Sequence, residues 1–197
     1  MKKRSSVAGV LLAFLIVLVV FALIGGGCAV SGYNKAIRFD ENVKTAWAQV
    51  ENVLQRRYDL IPNIVETVKG YAEHEQEIFT DIAKSREKYF QAGDRGARME
   101  ASAGLERALS RLLVLQERYP DLKAQQQFQA LIVELEGSEN RIAVERKRYN
   151  DAVRALNAYQ RSVFGRIYCG WAGVEAAEYF EVAAEAKEAP KVKFTDD

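Results

Sequence analysis

The sequence predicts an all-α protein: an N-terminal transmembrane helix, then an up-down-up-down antiparallel four-helix bundle in which helices one and four are long and the other two shorter. Three observations carry this. Only three prolines occur in 197 residues, so long helices are permitted almost everywhere. Apolar residues recur at spacings of three and four over most of the chain, which places them on one helical face. Finally, residues 7–24 form an apolar run of about 18 residues, roughly 27 Å as a helix. Three regions follow: a basic tip and membrane helix over 1–30, a helical bundle over 31–164, and an aromatic segment with a charged tail over 165–197.

Lys2-Lys3-Arg4 precede the apolar run, and with 25–30 added the helix spans a bilayer. The positive-inside rule keeps this cluster cytoplasmic and sends the remainder across. A cleaved secretory peptide usually has a shorter apolar core, of about 7–15 residues. Cys28, behind Gly25-Gly26-Gly27, leaves a second option: a lipoprotein signal cleaved before a lipid-bearing cysteine. A leucine is normally expected three residues earlier, where Gly25 stands, so the uncleaved anchor is preferred.

The first long helix is expected over 36–68, with Val43, Trp47, Val50, Leu54, Ile61, Ile64 and Val68 on one stripe. Arg57 falls between Leu54 and Ile61. It needs either a carboxylate partner or a place at the edge of the stripe, and the edge is favoured. Pro62 lacks an amide proton and crowds the carbonyl of Tyr58; the stripe resumes in phase, so it reads as a helix kink.

Gly70 stops this helix, and a second follows over 72–91 with Ile78, Ile82 and Tyr89 inward. Gly93-Asp94-Arg95-Gly96 make a turn by composition. A third helix over 97–118 carries Leu105, Leu109, Leu112 and either Leu115 or Tyr119, and Pro120 ends it. The fourth is expected over 122–164, with Phe128, Leu135, Ile142, Tyr149, Leu156 and Val163 at steps of seven. Gly137 within it suggests close approach of a neighbouring helix or a local bend.

Helices one and four are each about 55–65 Å long, against about 30 Å for the middle two. The bundle therefore becomes a four-helix head on a two-helix stalk. Val43, Trp47, Val50, Tyr149, Leu156 and Val163 line that stalk, and two helices cover only one face of each other. Leftover apolar surface beside a membrane points to stalk packing between subunits, a homo-oligomer; a C-terminal segment folded back over the seam is the alternative. Asn52, Asn63, Asn140, Asn150 and Asn157 lie beside the stripes and suit an interhelical polar ladder. Tyr168 and Trp171 lie in a segment that returns toward the membrane, where amphipathic rings suit the headgroup layer; the same segment also suits a strap over the stalk. From about Glu185 the chain is charged and expected to be disordered.

The chemistry-bearing residues are sparse. His74 is the single histidine, and it sits among Glu73, Glu75 and Glu77 as a solvated helix start. One histidine and two cysteines, Cys28 and Cys169, cannot close a zinc site. No metal or cofactor is expected, and no nucleophile has a recognisable base. No glycine-rich loop is placed to cradle a phosphate. A net charge of +1 gives no basic face for nucleic acid. No enzyme is expected.

One stretch is more specific than any of these patterns. Ala46-Trp47-Ala48-Gln49-Val50-Glu51-Asn52, Gln55-Arg56-Arg57, Asp59-Leu60-Ile61-Pro62-Asn63 and Val65-Glu66-Thr67-Val68-Lys69-Gly70-Tyr71-Ala72, with Tyr33-Asn34 before them, form one block. Leu135-Glu136-Gly137-Ser138-Glu139-Asn140-Arg141-Ile142-Ala143, Tyr149-Asn150 and Tyr179-Phe180 form a second. Together they resemble the LemA family signature. The resemblance implies a membrane-anchored helical bundle, some of whose relatives carry a cysteine placed as Cys28 is. The chain departs from the family after Phe164, where a proline and an asparagine commonly follow.

The expected location is the bacterial inner membrane, single-pass, with the N-terminus cytoplasmic and the bundle periplasmic. The expected role is a non-enzymatic scaffold that self-assembles through its long helices to organise or shape membrane. The alternative is a monomeric or lipid-anchored adaptor recruiting an envelope protease or transporter. Its head should show a solvent-facing apolar patch.

Overall fold

A computed structural model describes residues 2–71 and 75–181. Among these every regular element is a helix, six in all with no strand: α1 Lys2–Lys69, α2 Gln76–Gln91, α3 Arg95–Arg118, α4 Pro120–Ala124, α5 Gln126–Arg161 and α6 Val163–Ala172. The all-α class and the apolar N-terminal helix are as expected; the division into helices is finer. His74 and the charged tail after Glu181 lie outside the described residues.

The chain forms two compact units, Met1–Thr45 with Asp151–Ala177, and Ala46–Asn150 with Glu178–Asp197. In the first, α1 is long and apolar enough to cross a membrane, and none of its apolar window is buried by the rest of the chain. Apolar side chains left without protein cover belong in lipid, which makes this a membrane-associated protein.

In the second unit, the inward residues expected from periodicity form one core. Val50, Leu54, Ile61, Ile64 and Val68 of α1 are buried, as are Ile78, Ile82 and Tyr89 of α2 and Leu105, Leu109, Leu112 and Leu115 of α3. α2 packs on α3. Asp94 caps α3, its carboxylate accepting the amide of Ala97 at 2.8 Å, so the helix begins two residues before the expected start. α3 stops at Tyr119 because the residue before a proline is driven out of the helical region.

The fourth helix is not continuous. Gln125 is extended and splits off the short α4, and the Gln129 side chain donates to the Lys123 carbonyl at 2.8 Å across the break. At its other end α5 stops at Arg161, not Phe164, because Ser162 turns extended and caps a new helix, its hydroxyl accepting the Gly165 amide at 3.1 Å. The start of the expected aromatic segment after Phe164 therefore belongs to a helix, α6. Gly173 closes it in the left-handed region at φ 65°, with Val174 N–H donating to the Cys169 carbonyl at 2.9 Å. Gly165 is required at the corner, since a Cβ there would overlap the Tyr159 carbonyl. Gly137 admits no neighbouring helix: a Cβ there would meet only the Arg141 side chain of the same helix, at 3.5 Å.

Candidate membrane-proximal site

In the first unit Gly32 lies eight residues past the apolar run of α1, and three elements meet there. A Cβ at Gly32 would overlap the Tyr168 ring of α6, so the absence of a side chain lets α6 lie against α1. Tyr159 of α5 donates its hydroxyl to the Gly32 carbonyl at 2.9 Å. Its ring stacks at 5.2 Å on Phe39, and the Lys35 ammonium lies over both rings. Tyr168 is half-buried and meets Trp171 edge-on at 5.7 Å.

The two faces of α6 differ. Gly165 and Cys169 are buried. Val163, Phe164, Ile167 and Trp171, at i, i+1, i+4 and i+8, are all exposed, Val163 at 79% and Trp171 at 65%. Burial pushes the Cys169 thiol up, away from the thiolate form a nucleophile would need. Replacing Gly32 with leucine should undock α6, which limited proteolysis within 162–173 and a change in Trp171 emission would report.

The Asn residues at a seven-residue step serve a different purpose from the expected interhelical ladder. In the first unit, Asn157 Nδ2 donates to the Ala177 carbonyl at 2.9 Å and its Oδ1 accepts the Ala177 amide at 3.0 Å. In the second, Asn150 makes the same pair with Phe180, at 3.0 and 2.8 Å. Each carboxamide thus reads one backbone residue as a neighbouring strand would, and Tyr149 adds a hydroxyl bond to the Glu178 carbonyl at 2.8 Å. Phe180 is buried beside Trp47, with the Arg146 guanidinium 4.5 Å from its ring centroid.

The second unit also holds a charged core. Arg57 is buried and paired with Glu139, so the carboxylate partner is realised and the edge position is not. Arg98 pairs with Glu51 and Arg146 with Glu106. Tyr58 stacks on Tyr89 at 4.3 Å and on Phe90 at 5.6 Å, with its buried hydroxyl unpartnered. Tyr58→Phe should therefore leave stability unchanged or raise it by up to about 1 kcal/mol in urea unfolding, since an unpaired buried hydroxyl is a cost.

Burial holds the Tyr58 phenol well above its usual value, and burial with the Glu51 charge raises Tyr89 to about 12. An unfolded chain releases these protons near pH 10. The folded chain still holds them there, so stability falls as pH rises from about 10 toward 12. Thermal melts across that window should show the fall, and Tyr58→Phe with Tyr89→Phe should flatten it.

Beside these rings, Ile61, Pro62 and Val65 of α1 and Phe79, Ile82 and Phe90 of α2 line a groove of about 700 Å³. Among the described residues no group of histidines, cysteines and carboxylates is placed to hold a metal ion.

The residues singled out from sequence are distributed as follows. Val43, Trp47, Val50, Tyr149 and Leu156 are buried within the single chain, Trp47 meeting Tyr149 edge-on at 5.4 Å, while Val163 is on the surface. Pro62 lies inside α1 and lines the groove, and Cys28 is exposed on the same helix. Sequence reasoning gave no packing role to Gly32 or Phe180. The signals were present: a glycine just past an apolar run, and an aromatic pair, Tyr179-Phe180, in a region otherwise poor in pattern.

The LemA family model matches residues 46–194. Magnetosome proteins MamQ 1 and MamQ 2 of Paramagnetospirillum magneticum are each 25% identical over 175 residues, covering 76% of this chain and 64% of their own. Magnetosome protein MamQ of Magnetospirillum gryphiswaldense is 24% identical over 151 residues, covering 64% of this chain and 56% of its own. The chain thus spans less than two thirds of the length of these relatives.

Proposed function

The chain belongs to the LemA family, and on that premise we propose that it is a non-enzymatic, single-pass protein of the bacterial inner membrane whose helical bundle serves as an adaptor. The observation that carries the anchor is the apolar window of α1, none of it covered by protein. Lys2, Lys3 and Arg4 at its start favour a cytoplasmic N-terminus and a periplasmic bundle. The apolar run of about 18 residues, longer than the core of a cleaved signal, supports an anchor that is kept rather than cleaved. Four helical segments, from α1, α2, α3 and α5, line the core of the second unit; the three-residue link between the packed α2 and α3 supports an up-down-up-down order. The magnetosome relatives bear names that state no reaction.

The adaptor reading rests on the apolar groove at Pro62, the kind of concave surface that takes a partner's side chains. It displaces stalk-driven self-assembly because five of the six seam residues are consumed inside the chain. A photo-cross-linker at Val65 should yield a discrete adduct with a different envelope protein, and one at the exposed Val133 should not. Adducts of equal mass from both sites, or one at twice the chain mass, would count against it. A self-assembling scaffold remains the second reading, supported by Val163, Phe164 and Ile167 on the surface.

A further inference from the structure

We propose that α6 is an in-plane membrane helix, its Val163, Phe164, Ile167 and Trp171 face inserted into an anionic lipid surface beside the point where α1 leaves the bilayer. The inference rests on α1 spanning the membrane, as proposed above.

Four observations lead to it. First, the exposed side chains of α6 are apolar along one arc: at 100° per residue, Val163, Ile167, Trp171 and Phe164 fall within about 100° of each other. Gly165, Cys169 and Ala172 fall on the opposite side, where Gly165 and Cys169 are buried. A stripe of that width, with two aromatic rings in it, is unusual on a surface facing water.

Second, the helix is held at a fixed place on the anchor. Tyr168 fits over Gly32, eight residues after Ile24, where the continuous apolar run ends, and Tyr159 bonds the Gly32 carbonyl. The exposed stripe is therefore held about 12 Å along α1 from the end of a surface already assigned to lipid, and this proximity is what selects a membrane as its occupant.

Third, the edges of the stripe carry the residue types that suit a headgroup layer. Arg166 flanks one side and is exposed, and Tyr168 flanks the other, its hydroxyl-bearing ring half-buried. An arginine reaches phosphate while its stem stays with the apolar face, and tyrosine and tryptophan prefer this boundary.

Fourth, the charge around the site is mainly basic. Lys35, Arg38, Arg161 and Arg166 lie within 5–39 and 155–174, stretches without an aspartate or glutamate, and Asp40 and Glu175 are the next residues beyond them. A basic rim around an apolar stripe favours anionic lipid over zwitterionic lipid. Helix α6 has ten residues, too few to hold a membrane alone, so its role is to add a second lipid contact to an anchor that α1 supplies.

The chain has two tryptophans, Trp47 and Trp171, so wild-type emission minus that of Trp171→Phe isolates Trp171. Full-length protein would be reconstituted into phosphatidylcholine vesicles with phosphatidylglycerol, with and without brominated acyl chains, and floated after an alkaline carbonate wash. The expected result is blue-shifted Trp171 emission that loses most of its intensity in brominated vesicles and little to aqueous iodide. Val163→Asp with Ile167→Asp should reverse that order while the protein still floats. Floating protein whose Trp171 is quenched by iodide and spared by bromolipid would overturn the α6 proposal and leave the anchor standing. Blue-shifted emission untouched by either quencher would overturn it in favour of a second chain over the stripe. Equal bromolipid quenching without phosphatidylglycerol would overturn the anionic preference. Protein that fails to float would overturn the anchor and α6 together.

Discussion

Replacing Glu139 with alanine is expected to destabilise the bundle by about 3 kcal/mol, because it strands the Arg57 guanidinium inside the protein. The Arg57 side chain is 8% exposed and its Nε lacks a partner, so among the described residues Glu139 is the carboxylate that compensates the buried charge. Glu139 itself remains 38% exposed, which puts the expected cost at the low end for a broken buried pair. The pair need not be better than an apolar substitute. Arg57→Met combined with Glu139→Leu should recover most of the loss, since matched apolar groups avoid the desolvation of both charges. Urea unfolding in mild detergent, followed by circular dichroism, gives all three values. A Glu139→Ala cost below about 1 kcal/mol would mean that the pair behaves as a surface salt bridge.

Phe180→Ala carries the second large effect, a loss of about 3 kcal/mol of the kind seen when a buried phenylalanine is truncated. Its ring lies 6.2 Å from that of Trp47 and beneath the Arg146 guanidinium. Truncation should expose Trp47, shifting its emission to the red, and should open 174–181 to protease while α2 and α3 keep their helicity. Asn150→Ala should act in the same direction through the two lost backbone bonds, at about 1–3 kcal/mol. If Phe180→Ala leaves Trp47 emission unchanged, the C-terminal segment does not form part of the core.

These two sites also show what the sequence could and could not reveal. Period alone places the α1 stripe and the step-of-seven row from Phe128 to Leu156 correctly, because helices bury a fixed face whatever packs against them, while Val163, the last of that row, lies exposed on α6. It did not identify what packs there. Tyr149 and Trp47 stand out as apolar, with a partner chain the preferred cover and a folded-back C-terminal segment the alternative; the cover includes Phe180 from that segment. An extended segment bonded through asparagine side chains has no period to detect. Asn150 and Asn157 were visible as a seven-residue pair, yet amide groups at that step fit a helical neighbour as well as a backbone. Arg57 was legible as a conflict in the stripe, but its resolution depended on Glu139, 82 residues away. Helix α6 was hidden because its glycines read as disorder in the pattern; Gly165 and Gly173 are instead its tight start and its left-handed end, with Ser162 as cap.

The central claim is that the apolar seam of the long helices completes the chain's own fold, leaving a single-copy anchored adaptor. The mass of full-length protein in mild detergent, measured by light scattering with the detergent contribution removed, tests it most directly. The account predicts one chain, 22.2 kDa, across the concentration range. A discrete multimer that persists on dilution and survives Val163→Asp would contradict it.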